Sequence, residues 1–556
     1  MATNTVYGID LGTTYSCIAR VDSYGKAEVI PNSDGELTTP SVVYFESADN
    51  IVVGKTAKDE ARFNPALVKS MIKRAMGDKS ALFHYHGRDY RPQEISSFIL
   101  RRLAEDAAQI TNEPVRDVVI THPAYFGVEQ IEATRQAGEI AGLNVLSLIP
   151  EPTAAAIAYG MNESADQTLL VYDLGGGTFD ITLITVDAGA ITVRSVDGDW
   201  ELGGRDWDGL LVEHFANCFA DDTGMPADQL LNDPETLETL LAEAEDAKRA
   251  LSKKTSVTVA LVHGADRVRV DLTREQFDAL TRPKLEATLS LTRHMLDHAR
   301  SLGWPRIDKL LLVGGSSYMP QVQEAVGALG VPAQLTDPNL SVAKGAAIFG
   351  FKLQLEQSIR IAIAAQTGQA ADEVQLDKVT EGVKRAAEAV VASQFGLPAN
   401  SMRNLVDKTI TNVTAKSFGI VVHVADLNAE RVANLILKDA TVPVEVTQTF
   451  GTSAEGQDRV DLRCMENKRI TTDGEVLELT DCTDIGRAEL AFGTQVRQDY
   501  PVEITFRLSA DGSLYVRGRD PQTGKAIDAT FKTDSIMTQE ELDGARVRAL
   551  ATRVSD

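Results

Sequence analysis

The chain has 556 residues, too many for a single hydrophobic core, so two or three domains are expected. Its formal net charge of −25 argues against unaided binding of nucleic acid or an anionic membrane surface. Cys17, Cys218, Cys464 and Cys482 are far apart with no Cys-x-x-Cys pair, and neither a secretory start nor an apolar run of membrane-spanning length occurs. Buried thiols and a reducing, cytoplasmic setting are the expectation.

From the N-terminus, Val6-Tyr7-Gly8-Ile9-Asp10 reads as an apolar strand, followed by Leu11-Gly12-Thr13-Thr14-Tyr15-Ser16 and a second apolar run at 17–21. Further strand-like runs lie at 27–31 and 41–46. Helical sequence is expected next, including Lys69-Ser70-Met71-Ile72-Lys73-Arg74-Ala75-Met76-Gly77, whose lysines could simply form a solvated face. Residues 118–126 read as a buried strand stopped by Pro123, and a helix rich in alanine and glutamate runs on to Gly142. Pro150-Glu151-Pro152 and Gly160 mark both ends of an alanine-rich helix, with Glu151 at its start.

Asp173-Leu174-Gly175-Gly176-Gly177-Thr178-Phe179-Asp180 then repeats the opening pattern between apolar runs at 168–172 and 181–186. Three glycines leave the turn's N–H groups uncovered, which favours an anion. Asp173 and Asp180 suit a hard cation bound through water. A lone glycine run would be a flexible surface turn; its twin at 10–16 implies two similar halves gripping one ligand from opposite sides. A phosphate and a divalent ion together mean a nucleotide, although the mononucleotide loop ending in Gly-Lys-Ser/Thr is absent. The helix expected at 240–252 sets Glu245, Lys248, Arg249 and Ser252 on one face, a spacing that equally fits surface salt bridges. Residues 310–320 read as a strand entering the turn Gly314-Gly315-Ser316, and 342–351 as a small-residue helix packing back on the core.

Each hairpin resembles the opening of the actin-like, ribonuclease-H-like duplicated α/β ATPase fold. Residues 10–16, 123–126, 151–160 and 173–180, Leu202-Gly203-Gly204, Ala247-Lys248-Arg249-Ala250-Leu251-Ser252 and residues 312–316 occur together and in order. The set closely resembles the ATPase domain of the seventy-kilodalton heat-shock chaperones, the DnaK-like family, over roughly residues 4–352. That resemblance implies ATP or ADP with magnesium held through water by Asp10 and Asp173. Thr13, Thr14, Gly175, Gly176 and Gly177 would contact the phosphate tail. Lys73 would act at the γ-phosphate, with Glu151, Thr178 and Asp180 aligning the attacking water, so hydrolysis rests on positioning and electrostatics. Glu245, Lys248, Arg249 and Ser252 would hold ribose and adenine, with Arg249 stacking on the base. Gly12, Tyr15, Gly203, Gly204, Gly314, Gly315 and Ser316 complete the implied nucleotide site.

The sequence also departs from that pattern. Tyr318 stands where the family has an arginine against adenine, and Asn339 where it has an acid near the ribose, so altered nucleotide affinity is expected. Ser147 replaces the arginine that engages J-domain co-chaperones, and the stretch between Gly77 and Pro114 is short. Both predict changed use of J-domain and nucleotide-exchange partners.

Residues 353–406 do not match the family. Helical runs are expected at 351–366 and 372–395, the second with Leu376, Val379, Val383, Ala387 and Val390 on one face and a stop at Gly396 and Pro398. They read either as a helical hairpin packed on their own ATPase domain or as a dimer or partner contact. From Thr411 short alternating strands, with a hairpin turn at Asp511-Gly512, predict an all-β sandwich. Ser417-Phe418-Gly419-Ile420, Thr441-Val442-Pro443, Thr447-Gln448-Thr449-Phe450, Glu466-Asn467-Lys468-Arg469, 502–506 and Ala510-Asp511-Gly512 resemble the peptide-binding sandwich of the same chaperones. By that resemblance Ile420, Phe450, Val460 and Leu462 line a groove for extended apolar peptide; plain sandwich core is the other reading.

The first groove loop, 421–432, is long and polar and contains His423. The linker Asp407-Lys408-Thr409-Ile410-Thr411-Asn412 is hydrophilic, so weak docking on the ATPase domain and weakened coupling are expected. The helical lid is missing; only 538–553 could form a helix, capped by Thr538 with Glu541, so peptide release should be fast. The expected domains are 1–352 (ATPase), 353–406 (helical insertion and linker), 407–535 (sandwich) and 536–556 (a remnant of the lid). The leading functional reading is an ATP-hydrolysing chaperone for unfolded or extended protein segments, without nucleic-acid or membrane partners. The alternative is an ATP-switched module for one dedicated partner, while a small-molecule kinase would leave the β domain unused.

Overall fold

Apolar or small side chains point both ways along Val6-Tyr7-Gly8-Ile9, and the strand they form, β1 (Val6–Asp10), is buried on both faces. Such strands belong to sheets covered by helices on two sides. The computed structural model describes residues 4–160, 166–187, 190–468, 471, 474–530 and 536–555. In the first sheet β1 pairs antiparallel with β2 (Tyr15–Val21), which pairs antiparallel with β3 (Ala27–Ile30). On its other side β1 pairs parallel with β4 (Asp117–His122), and β4 parallel with β5 (Asn144–Pro150). The order is β5-β4-β1-β2-β3.

The second sheet repeats that order. Strands β6 (Gln167–Leu174), β7 (Phe179–Asp187) and β8 (Ala190–Asp199) are antiparallel, while β9 (Lys309–Val313) and β10 (Ala333–Leu335) add in parallel on the far side of β6. The order is β10-β9-β6-β7-β8. Each glycine-containing turn therefore sits at the same corner of its half. Among the flanking helices are α1 (Pro92–Thr111), α2 (Val128–Ile140), α3 (Glu151–Gly160), α4 (Gly204–Thr223) and α5 (Pro234–Leu251). Helix α6 (Ser341–Thr367) packs on β1, β2 and α3, so closely that a Cβ on Gly345 would lie 1.7 Å from Ala154 O.

Three expectations are corrected here. Residues 69–77 contain no α-helix: Val68–Lys69 is a short strand and Ile72–Ala75 one 3-10 turn. Met71, with φ 57, breaks the helical path between them. The expected helix at 372–395 is shorter, α7 (Glu381–Gln394), because Thr380 is extended. This rotates Val391 into the core and leaves Val390 47% exposed. A further helix, α8 (Ala399–Val406), starts where Gly396 and Pro398 were expected only to stop one. Leu355, Ile359, Ile363, Ala387, Val391 and Met402 form one cluster, joined by Val21 of β2. The insertion packs on its own chain.

The hydrophilic linker also docks, against expectation. Residues Thr409–Val413 form β11, parallel to β8 and antiparallel to Thr441–Val442. Edge-strand docking uses backbone hydrogen bonds, so polar side chains are no obstacle. Ile410 and Val413 pack on the core, Lys408 Nζ donates to Gly160 O at 3.0 Å, and Thr153 Oγ1 donates to Asn412 Oδ1 at 3.0 Å.

The sandwich has a five-stranded sheet (Val476–Leu477, Ala429–Ile436, Phe418–Val424, Gln457–Asn467, Cys482–Val496) facing a four-stranded one (Val444–Gly451, Pro501–Leu508, Leu514–Arg519, Ala526–Thr530). Arg469, within one motif quoted above, and the expected boundary at 535 lie outside the described residues. Charged groups join the sandwich segment to the first domain, and Asp439 Oδ2 accepts from Ser195 Oγ at 3.0 Å. Arg135 of α2 pairs with Asp511 at 2.6 Å, and Glu466 Oε1 accepts from Val128 N at 3.2 Å.

The C-terminal segment is not a lid lying over the sandwich. Helix α9 (Gln539–Ala551) buries Leu542, Ala545 and Ala549 in the same cluster as Ile95 and Phe98 of α1. Arg101 Nη1 donates to Ala549 O and Thr552 O, both at 2.6 Å, and Arg553–Ser555 adds in parallel to Asn50–Val53. Leu542, Ala545 and Ala549, three and four residues apart, form the face that α9 buries. At its N-terminus Thr538 Oγ1 accepts from Glu541 N at 3.3 Å, and Glu541 Oε2 accepts from Thr538 N at 2.8 Å. Thr538→Ala is expected to lower the unfolding free energy of the first domain by about 1 kcal/mol in urea titrations. No change in that transition would show that the Thr538 cap contributes nothing to the domain's stability.

Candidate functional site

The residues of both hairpins converge on one cavity of about 560 Å³ between the two halves. Asp10 ends β1, and Gly12, Thr13, Thr14 and Tyr15 follow it along one wall. Asp173 stands directly opposite Asp180 across the second hairpin. Gly175, Gly176 and Thr178 line the cavity, as do Lys73, Glu151, Glu245, Lys248, Arg249, Ser252, Gly314, Gly315, Ser316, Tyr318 and Asn339. Gly177, Asp180, Gly203 and Gly204 stand behind that lining.

The second hairpin is held open by its carbonyls. Gly175 O accepts from Gly204 N at 2.9 Å and Ser316 Oγ at 2.8 Å, and Gly176 O from Arg205 N at 2.8 Å. Gly177 O accepts from Arg74 Nε at 3.0 Å and Nη2 at 2.7 Å. Among the described residues, the amides of Gly176, Gly177 and Thr178 have no acceptor. Such a run of unfilled donors is an anion site. The first hairpin presses against it: a Cβ would lie 2.2 Å from Thr14 Oγ1 if placed on Gly176, and 2.4 Å from Thr13 Cγ2 if placed on Gly177. Gly203 approaches the Gly177 backbone to within 2.6 Å of a hypothetical Cβ, so only glycine fits there.

Beneath the hairpins, Glu151, Asp173 and Asp180 are buried together with Lys73, and Asp10 stands half-buried at the end of β1. Lys73 Nζ contacts Glu151 Oε1 at 2.5 Å. Burial, then the neighbouring Glu151 charge, pushes both Asp10 and Asp180 up to about 7. The same causes, with Asp180 and Asp10 added, raise Asp173 well above the carboxylate range. Asp180 Oδ1 accepts from Tyr125 N at 3.1 Å, while its buried Oδ2 has no partner among the described residues. Among the described residues no group of three or more His, Cys, Asp or Glu side chains encloses a metal directly. The donor set suits a hard divalent ion held through water.

At the opposite end, Tyr15 links the halves. Its hydroxyl donates to Glu245 Oε1 at 3.0 Å and accepts from Lys58 Nζ at 2.9 Å and Arg249 Nη1 at 3.1 Å. Lys58 also pairs with Glu245 at 2.6 Å. Lys248, also in the lining, pairs with Asp208 at 2.7 Å and donates to Gly204 O at 2.9 Å. Arg249 and Tyr318 stay exposed at the cavity rim.

A profile of the Hsp70 protein family matches residues 6–84 and 80–360. The chain belongs to the Hsp70 family. The chaperone protein DnaK of Halobacterium salinarum, from strains R1 and NRC-1, is 34% identical to it over 552 residues, covering 98% of this chain and 77% of each relative.

In this Hsp70 chain the expected groove residues do not share an open cleft. Ile420 and Leu462 are closed into the sandwich core at 4% and 2% exposure, because their strands face Ile504 and Phe506 of the other sheet. Phe450 and Val460 are half-buried, on opposite sheets. Spacing missed Lys58, Arg74, Arg205, Asp206 and Asp208. The first two lie in short elements with no periodicity, while the others follow Leu202-Gly203-Gly204, where a longer reading of that motif would have found them.

Gly203→Ala should push the second hairpin out of place and weaken nucleotide binding tenfold or more in calorimetric titration; unaltered affinity would contradict the close approach described above. His122, buried and lowered to about 4, must charge on unfolding. Stability from this residue is complete above its unfolded value near 6.5 and falls as pH drops toward 4. Between pH 7 and pH 5 in urea unfolding, wild type should lose about 2 kcal/mol relative to His122→Asn, over and above the slope the two share from other groups. An equal slope in the variant would refute the assignment.

Proposed function

We propose that this chain is an ATP-dependent chaperone of the Hsp70 type, built on a duplicated actin-like ATPase domain and a β-sandwich that takes extended apolar segments of unfolded proteins. Its ATP hydrolase activity and chaperone class follow from family membership. The observation that carries the site assignment is the set of three unfilled amides at Gly176, Gly177 and Thr178, facing buried carboxylates and one lysine. In this reading the ATPase domain comprises residues 1–352 together with the returning segment 536–556. Residues 353–406 form an insertion, and 407–535 carry the sandwich and its linker. The four cysteines are free, three buried and Cys218 partly exposed, which supports a reducing, cytoplasmic setting. Among the described residues no helix is long and apolar enough to cross a membrane.

Asp10 and Asp173 would hold magnesium through water, and the ion would supply charge neutralisation for the phosphate oxygens of ATP. The remaining work belongs to side chains and amides of the chain. The hairpin amides donate to phosphate oxygens, with Thr13 and Thr14 from the opposite wall. Lys73, held by Glu151, faces the terminal phosphate and stabilises charge there. The free Oδ2 of Asp180 accepts from the attacking water and orients it, with Thr178 beside it. Glu245, Lys248, Ser252, Gly314, Gly315, Ser316 and Asn339 surround the nucleoside, and adenine lies between Arg249 and Tyr318. The Tyr15 network closes the halves over it.

Steady-state ATP turnover of wild type and Lys73→Ala, with and without a short apolar peptide, tests both domains. Loss of 10²-fold or more in the variant is expected, since Glu151 loses its buried partner and the phosphate its cation. Wild-type turnover is expected to rise on adding peptide. Undiminished turnover in the variant would end the site assignment, and indifference to peptide would end the sandwich assignment. The closed positions of Ile420 and Leu462 favour a second reading, in which the sandwich serves one dedicated partner. Recovery of many unrelated unfolded proteins in a pull-down would exclude it.

A further inference from the structure

We propose that Arg74 is a positioning residue that completes the phosphate cradle only when the two halves of the ATPase domain are closed; this rests on the ATP-site reading above. The hairpin carbonyls of Gly175 and Gly176 are anchored from within the second half, by Gly204, Arg205 and Ser316. Gly177 O is different. Among the described residues its donor comes from the first half, where Arg74 reaches it with Nε at 3.0 Å and Nη2 at 2.7 Å.

A trans peptide is planar, with its C=O and N–H on opposite sides. Fixing Gly177 O on Arg74 therefore turns the Thr178 N–H toward the cavity. The first two amides are oriented by the second half alone, whereas the third depends on a side chain across the cleft. Opening the halves withdraws the guanidinium, frees the Gly177–Thr178 peptide to rotate and leaves the cradle one donor short.

The guanidinium itself is held in register. Arg74 Nη2 pairs with Asp206 Oδ2 at 2.7 Å, and the same oxygen accepts from Gly203 N at 2.8 Å, next to the α4 N-terminus. Lys73 and Arg74 are consecutive in the 3-10 turn Ile72–Ala75, set by the left-handed Met71 at φ 57. One points to Glu151 and the other to the opposite half, so docking Arg74 also fixes where the Lys73 turn sits. A lysine at position 74 could keep the charge pair with Asp206. It could not bond Gly177 O twice in a fork at the same time.

The test compares wild type, Arg74→Lys, Arg74→Ala and Lys73→Ala as full chains. The ¹⁵N–H resonance of Thr178 is recorded without nucleotide, and single-turnover ATP hydrolysis is measured with and without added guanidinium ion. Both Arg74 variants should shift the Thr178 resonance and slow hydrolysis about tenfold or more, and guanidinium should restore part of the rate in Arg74→Ala. Lys73→Ala should slow hydrolysis but leave the resonance in place. A Thr178 resonance unmoved in Arg74→Ala, or a rate within twofold of wild type in both Arg74 variants, overturns the proposal. A rate lost in Arg74→Ala that guanidinium leaves unrestored, with the resonance unmoved, reduces Arg74 to a structural part and overturns it too. If Lys73→Ala also keeps full turnover, the ATP-site reading fails and takes this inference with it.

Discussion

Four clustered carboxylates, three of them buried, beside the ammonium group of Lys73 are the constraint on which the rest of the ATPase domain depends. Asp10, Glu151, Asp173 and Asp180 come from two sheets and a helix start, and nothing but a closed pair of halves brings them together. Burial makes ionisation of Asp10, Asp173 and Asp180 unfavourable, and the neighbouring Glu151 charge adds to it. The arrangement is therefore poor for the protein alone and well suited to a partner that brings positive charge inside and negative charge beside it. The neighbouring hairpin answers the second need, because its amides point inward while its carbonyls are bonded elsewhere.

Much of this was legible in the sequence because it rests on backbone chemistry. Glycine runs flanked by aspartates at 10–16 and 173–180 report a turn that must approach a ligand, and the repetition of the pattern reports two halves. The sheet order around each turn is the same, as a repeated strand-turn-strand unit would produce. What could not be read were contacts between distant segments. Arg74 meets Gly177, and Lys58 meets Glu245, across more than a hundred positions. Neither lies in an element with periodicity to betray its direction.

The errors in the second half of the chain have a common cause. Side-chain polarity predicts a loosely held linker, yet it docks through backbone hydrogen bonds, to which Thr409 and Thr411 are indifferent. The groove positions rest on the resemblance to the peptide-binding sandwich, with plain core as the other reading, because one inward face serves both. Ile420 and Leu462 show the second case. At 372–395 the apolar spacing was real but combined two backbone conformations. Leu376 and Val379 reach the same cluster from outside the helix that carries Ala387 and Val391.

The return of the chain to the first domain has a topological result. Residues 409–413 lie in one sheet of that domain and 553–555 in another, so the sandwich is strung between two fixed points. A single proteolytic nick in either connection would leave both fragments clasped through the strand and helix that each retains. Severing the β module from the nucleotide module requires two cuts, and its reach while undocked is set by a closed loop instead of a free tether.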